Sequence, residues 1–220
     1  MTLRALIFDF DGLILDTEWP EYLAVAEAYE AHGLRMEVTE WQARVGTVGG
    51  NWMDELEQLV GSGLDRAEVG SIRRRRRREL ISAANPLPGI VDLIEAAHAA
   101  GLRLAVASSA RTAWLDEHLD RLGLHARFDV LVGRDAVGDR AKPAPDVYLA
   151  ALDAVGVAPT EAVALEDSAP GLAAATAAGL ACIAIPNRIT AGSDFSAAHL
   201  VVESAAALTL DQLRAALANP

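Results

Sequence analysis

Two carboxylates, Asp9 and Asp11, stand one residue apart at the end of an apolar run that includes Leu3, Ala5, Leu6, Ile7 and Phe8. A run of that kind reads as a fully buried strand. Residues i and i+2 of a strand share a face, so both acids point the same way if the chain stays extended through Asp11. Carboxylates held close repel, which raises the pKa of one or requires a cation between them. Hard oxygen ligands with room for water and phosphate suit Mg²⁺. Gly12 lets the backbone leave at an angle that a side chain would obstruct. On its own, such a pair more often marks a solvated turn or a helix cap.

Further polar residues follow later apolar runs. Ser108 comes after LRLAVA, Lys142 lies in DRAKPAPD, and Glu166 and Asp167 come after AVAL. Singly, each has a simpler explanation: a helix cap for Ser108, Glu166 or Asp167, and a solvated loop for Lys142. Together they sit just after successive strands, where an open α/β sheet keeps its ligand crevice. The set holds acids for a metal, a hydroxyl and a lysine for phosphate oxygens, and a carboxylate free to attack.

The elements that position these residues alternate strand and helix from Asn85 onward, the mark of a parallel sheet. Strands are expected at 102–107, 128–132, 162–165, 181–185 and 200–202. Helices are expected at 90–100, 113–122, 146–155, 170–178 and 210–218. The fold class is therefore α/β, with a Rossmann-like parallel sheet flanked by helices. The first strand belongs to this sheet, so residues 16–85 form a helical cap inserted into a core of residues 1–15 and 86–220.

Within the insert, Pro20 suits a first helical turn, Tyr22, Val25, Ala26 and Tyr29 make an apolar stripe, and Gly33 ends it. Thr39 with Gln42 reads as a capping box. Asn51 caps a third helix that carries Trp52, Met53, Leu56, Leu59 and Val60 inward, and Asp65 with Glu68 opens a fourth. The fourth contains six consecutive arginines, Arg73 to Arg78. Val69, Ile72 and Leu80 share one stripe at helical spacing, with Arg76 in its middle and Arg73 at its edge. An arginine on an apolar stripe needs a partner. That partner is either an acid of the same domain or a phosphate in a cavity.

Composition sets limits on partners. The 220-residue chain is 52% hydrophobic and 23% charged, which favours a packed core over disorder. A formal charge of −12 argues against nucleic-acid or anionic-membrane binding. The only cysteine, Cys182, precludes an internal disulfide and lies in an apolar run, as an inert buried thiol would. The chain opens on no signal-peptide pattern and has no apolar stretch of bilayer-spanning length, which predicts a soluble cytoplasmic protein. It is expected to be a monomer or weak homodimer.

Four segments, DFDGLILDTE at 9–18, ASS at 107–109, KPAPD at 142–146 and LEDSAPG at 165–171, resemble in order the motifs of the haloacid dehalogenase superfamily. The likeness is to the β-phosphoglucomutase-like and sugar-phosphate phosphatase group with a helical cap. It implies Asp9 as nucleophile, Asp11 as general acid and base, and Ser108 and Lys142 as phosphoryl ligands. It also implies Mg²⁺ on Asp9, the Asp11 carbonyl and Asp167, with Glu166 as ligand or as support behind the ligands. The dehalogenase branch works without a metal and lacks the paired aspartate, so the implied activity is phosphatase.

Mutases of the family carry a histidine shortly after the first motif, a cap arginine and a cap lysine. The matching positions here are Glu21, Gly49 and Arg76. Two of the three markers are absent, which favours hydrolysis over mutase chemistry. A non-catalytic phosphate-binding regulator would have lost an acid or the lysine, and none is missing. The substrate is expected to be a small phosphorylated metabolite read by Trp19, Glu21, Gly49, Asn51, Arg76, Ser109 and Arg111. Trp19 and Trp52 fit cap core as well as pocket wall.

Overall fold

The computed structural model describes residues 2–44 and 51–218. Strand β1 (Ala5–Phe8) is followed by four helices, α1 (Glu18–Glu30), α2 (Val38–Gln42), α3 (Trp52–Val60) and α4 (Arg66–Ala83). The chain then alternates through α5 (Ile90–Ala99), β2 (Arg103–Ala107), α6 (Thr112–Leu122), β3 (Val130–Val132) and α7 (Asp146–Val155). It ends with β4 (Ala162–Glu166), α8 (Ala169–Ala177), β5 (Ala181–Ala184), β6 (Leu200–Val201) and α9 (Leu210–Ala218). Among the described residues, no helix is long and apolar enough to cross a membrane.

The six strands form one sheet in the order β3-β2-β1-β4-β5-β6, and every pairing is parallel. This is the α/β architecture expected from the alternation. Chain order reverses beside β1, so its carboxyl end opens onto the crevice of a topological switch point. Pleating divides the core into two layers. Leu6 and Phe8 join the layer containing Leu93, Ile94, Leu115 and Leu213, while Ala5 and Ile7 join the layer containing Tyr148, Ala151 and Leu172. The all-apolar character of β1 follows from burial on both faces.

Helices α1 to α4 enclose a separate cluster that includes Val25, Tyr29, Met36, Met53, Leu56, Leu64 and Val69. Three details of this region differ from expectation. The backbone N–H of Glu37 donates to Glu40 at 3.3 Å, so the α2 cap belongs to this pair, with Thr39 already inside the first turn. Leu59 and Val60 lie at the solvent-facing end of α3, past the cluster that Met53 and Leu56 enter.

The buried side of α4 is also rotated from the expected stripe. Ile72 is 46% exposed, whereas Val69, Gly70 and Ile81 are buried. Arg73 and Arg77 fall between them, and both pair with Glu21 of α1. Arg76 instead pairs with Glu27 at 2.8 Å and Glu79 at 3.5 Å, so its partner is an acid of its own helical region. The ion pairs along α1 go with this rotation of α4 about its axis. The apolar period alone could not supply that information.

Candidate active site

The first acid is set by the sheet. The Asp9 N–H donates to the Leu165 carbonyl at 2.9 Å, extending the β1–β4 ladder one residue and leaving the Asp9 side chain at the carboxyl edge. Gly12 then turns the chain at φ +87°, and a Cβ there would meet the Asp167 carboxylate at 2.3 Å. Glycine is required at that position both by conformation and by the approach of Asp167.

Lys142 comes from the loop before α7, its backbone N–H held by Ser109 Oγ at 3.1 Å. Its ammonium donates to Asp9 and, at 2.6 Å, to Glu166 Oε1. The hydroxyl of Tyr148 donates to the same Glu166 oxygen at 2.6 Å. Glu166 Oε2 accepts from the Asp167 N–H at 3.2 Å and from Ser168 Oγ at 3.3 Å, so both of its oxygens are occupied by protein donors. Gly171 makes room for this group, since a Cβ there would lie 2.0 Å from the Glu166 carboxyl. Asp167 takes a 2.8 Å bond from Asn187 Nδ2, which also reaches the Gly12 carbonyl at 3.1 Å. Ser168, rather than Glu166 or Asp167, caps α8 through the Gly171 N–H.

Carboxylate oxygens of Asp9, Glu166 and Asp167 lie within 4.8 Å of one another. Burial is the main influence on the nearby acids. It pushes Asp9 up to about 8, against the opposing pull of Lys142, and raises Asp167 well above the carboxylate range. Burial alone would lower Lys142, but the Asp9 and Glu166 charges outweigh it and hold the ammonium more firmly protonated than a free lysine. Once ionised, the three carboxylates outnumber the single ammonium, and a cation among them relieves their repulsion. The donors are oxygen only, so the cluster fits a hard divalent cation.

A cleft of about 210 Å³ opens over this cluster, lined by Asp9, Asp11, Glu18, Ser108, Ser109, Lys142, Asp167, Ser168, Pro170 and Thr190. Ser108 accepts the Ala110 N–H at 3.0 Å, leaving its own O–H to donate elsewhere. The indole N–H of Trp114 donates to Asp11 Oδ1 at 3.1 Å. Burial raises the Asp11 pKa, with the Trp114 bond opposing it.

The cleft thus gathers Asp9, Asp11, Ser108, Ser109, Lys142 and Asp167, with Glu166 directly behind. Among the described residues, the others expected to read the substrate are not part of its lining. Trp19 packs beneath Arg188, whose guanidinium is 4.1 Å from its ring. Glu21 is held by Arg73 and Arg77, and Asn51 caps α3 through the Met53 N–H at 3.0 Å. Arg76 lies on the α1–α4 surface, and Arg111 is 61% exposed beside Asp139. Gly49 lies outside the described residues.

Several contributors were not singled out from sequence. Burial lifts Glu18 to about 7, and the Asp11 charge adds to the effect. Its place at the end of the first motif is the only signal that could have found it. Trp114, Tyr148 and Asn187 reach the site across long stretches of chain and carry no local signal.

The model of the haloacid dehalogenase-like hydrolases matches residues 3–179. YhcW of Bacillus subtilis is 38% identical over 216 residues, covering 96% of this chain and 98% of that protein. The fructose-1-phosphate phosphatase YqaB of Escherichia coli is 34% identical over 177 residues, covering 80% and 92%. The crystal structure of mutant CbbY from Rhodobacter sphaeroides in complex with xylulose-(1,5)bisphosphate superposes with a TM-score of 0.73. It is 32% identical and covers 94% of this chain and 96% of that one. With four motifs in order on a matching sheet, and relatives aligned over most of its length, this chain belongs to the haloacid dehalogenase-like hydrolase family.

Proposed function

We propose that this hydrolase is a Mg²⁺-dependent phosphatase that cleaves a small phosphorylated metabolite of the sugar-phosphate class through an aspartyl-phosphate. The observation that carries the reading is the placement of Asp9, Asp11, Ser108, Lys142 and Asp167 around one cleft at the switch point of the sheet. YqaB, named for fructose 1-phosphate, and the CbbY complex with a ketopentose bisphosphate support a sugar phosphate.

In this reading a carboxylate oxygen of Asp9 attacks phosphorus as the bond to the substrate's alkoxy oxygen breaks. Asp11 gives its proton to the departing oxygen. It then takes one from a water that attacks the acyl phosphate, restoring Asp9 and releasing inorganic phosphate. The Ser108 hydroxyl and the Lys142 ammonium hold the phosphoryl oxygens, whose spread negative charge makes electrostatic stabilisation the dominant catalytic contribution. Asp9, Asp167 and the Asp11 carbonyl would hold Mg²⁺, which supplies neutralisation of phosphoryl charge. Glu166, already engaged by four donors, orients Lys142 and supports the ligands from behind. Glu18 and Thr190 add polar groups suited to the hydroxyls of a sugar.

The test is phosphate release from a panel of phosphorylated metabolites with Mg²⁺ or with chelator. Metal-dependent release, ranked by kcat/KM, supports the proposal. A hexose 1-phosphate isomerised without phosphate release would replace it with mutase chemistry. Phosphate bound but never released from any ester would replace it with a regulatory role.

A further inference from the structure

We infer that Trp114 is a positioning residue that holds the Asp11 carboxylate for proton transfer, and that Arg77 of the helical insert fixes its indole. The inference rests on the reading of Asp11 as proton carrier. Three separate parts of the chain converge here: the turn after β1, the first turn of α6, and α4. The indole Nε1–H donates to Asp11 Oδ1 at 3.1 Å. The Arg77 guanidinium lies 5.3 Å from the Trp114 ring centroid, and its Nε is 2.7 Å from Glu21 Oε2. His118, one turn along α6, packs edge-on against the same ring at 4.0 Å.

The chemistry of the donor makes it suited to this task. An indole N–H donates only and keeps its proton at neutral pH, so it orients Asp11 without competing for the proton that Asp11 moves. A guanidinium over the ring is attracted to the π-face and draws density from it, strengthening the N–H as a donor. A carboxylate that must meet a leaving oxygen is effective only within a narrow range of positions. Glu21 holds Arg77, Arg77 holds Trp114, and Trp114 holds Asp11, so the helical insert bears on the proton-transfer step.

The test uses leaving groups. Phenoxide leaves poorly unless protonated, whereas p-nitrophenoxide leaves readily without a proton. Because kcat/KM reports steps up to leaving-group departure, Trp114→Phe should lower it by about tenfold or more for phenyl phosphate and markedly less for p-nitrophenyl phosphate. Arg77→Met should shift the same ratio in the same direction, and Arg77→Lys, which keeps a cation over the ring, should restore it. Asp11→Asn serves as the reference for complete loss of the proton donor. If Asp11→Asn separates the two esters but Trp114→Phe and Arg77→Met lower both equally or neither, the inference is overturned and the acid role stands. If Asp11→Asn does not separate them, the proton-carrier reading fails and takes the inference with it. Should Trp114→Phe not fold, the Arg77 pair decides alone.

Discussion

Replacing Lys142 by methionine keeps most of the side chain's volume and removes one buried ammonium from among three buried acids. The Lys142 side chain is 5% exposed, and Nζ stands 2.6 Å from Glu166 as well as in contact with Asp9. At that separation and an effective dielectric constant near 20, Coulomb's law gives about 6 kcal/mol of gross attraction for the Glu166 contact alone. Desolvation offsets much of it, and breaking a buried pair costs about 3–5 kcal/mol net. Tyr148, Ser168 and the Asp167 N–H still hold Glu166 in the variant, which places the expected loss near the lower end.

The loss should depend on pH in a defined direction. Asp9 is already raised to about 8 in the native state by burial. Without Lys142 it keeps its proton more firmly, so above about pH 8, where wild-type Asp9 gives its proton up, the folded variant still holds it. The variant's stability then goes on falling with pH where that of the wild type levels off. Urea unfolding in chelator at about pH 7 and about pH 9.5 should therefore give a larger deficit against wild type at the higher pH. Phosphate release should fall by about 10²-fold or more, as expected when a cation on the phosphoryl group is lost. A stability loss under about 1 kcal/mol, or a deficit that widens toward acid, would refute the account of Lys142 as the balancing charge of this cluster.

Three further substitutions probe other parts of the site. Asp9→Asn should unfold with an unchanged urea slope yet lose at least about a thousandfold in turnover, some 4 kcal/mol of barrier; a smaller loss counts against Asp9 as nucleophile. Gly171→Ala drives a methyl into the Glu166 carboxyl, where 2.0 Å is available. It should cost about 1–3 kcal/mol in urea and raise the Mg²⁺ concentration needed for half-maximal activity, and no change in either would show that Glu166 is free to move aside. Arg76→Gln removes a surface cation paired with Glu27 and Glu79, away from the cleft, so kcat/KM on any ester should stay within twofold of wild type, about 0.4 kcal/mol. A large loss would place Arg76 against the substrate after all.

Local patterning along the chain specifies the elements and where their reactive ends lie. An apolar run ending in Asp9, or AVAL ending in Glu166 and Asp167, states both that a strand is buried and where it stops. Parallel strands in register then bring such ends to one edge of the sheet, so Asp9, Ser108 and Asp167 converge without further information. How side chains pair between elements is settled only by the packing of the folded chain. Six adjacent arginines on α4 are alike in sequence. A rotation of the helix by a fraction of a turn sends Arg73 and Arg77 inward to Glu21 and leaves Arg76 on the surface with Glu27. Trp114 reaches Asp11 across 103 residues, and Tyr148 reaches Glu166 from another helix. Backbone periodicity is a local property that a chain carries in its own order. The contacts that tune Asp11 and Glu166 depend on helix rotation and on packing between layers, and these exist only once the whole molecule has closed.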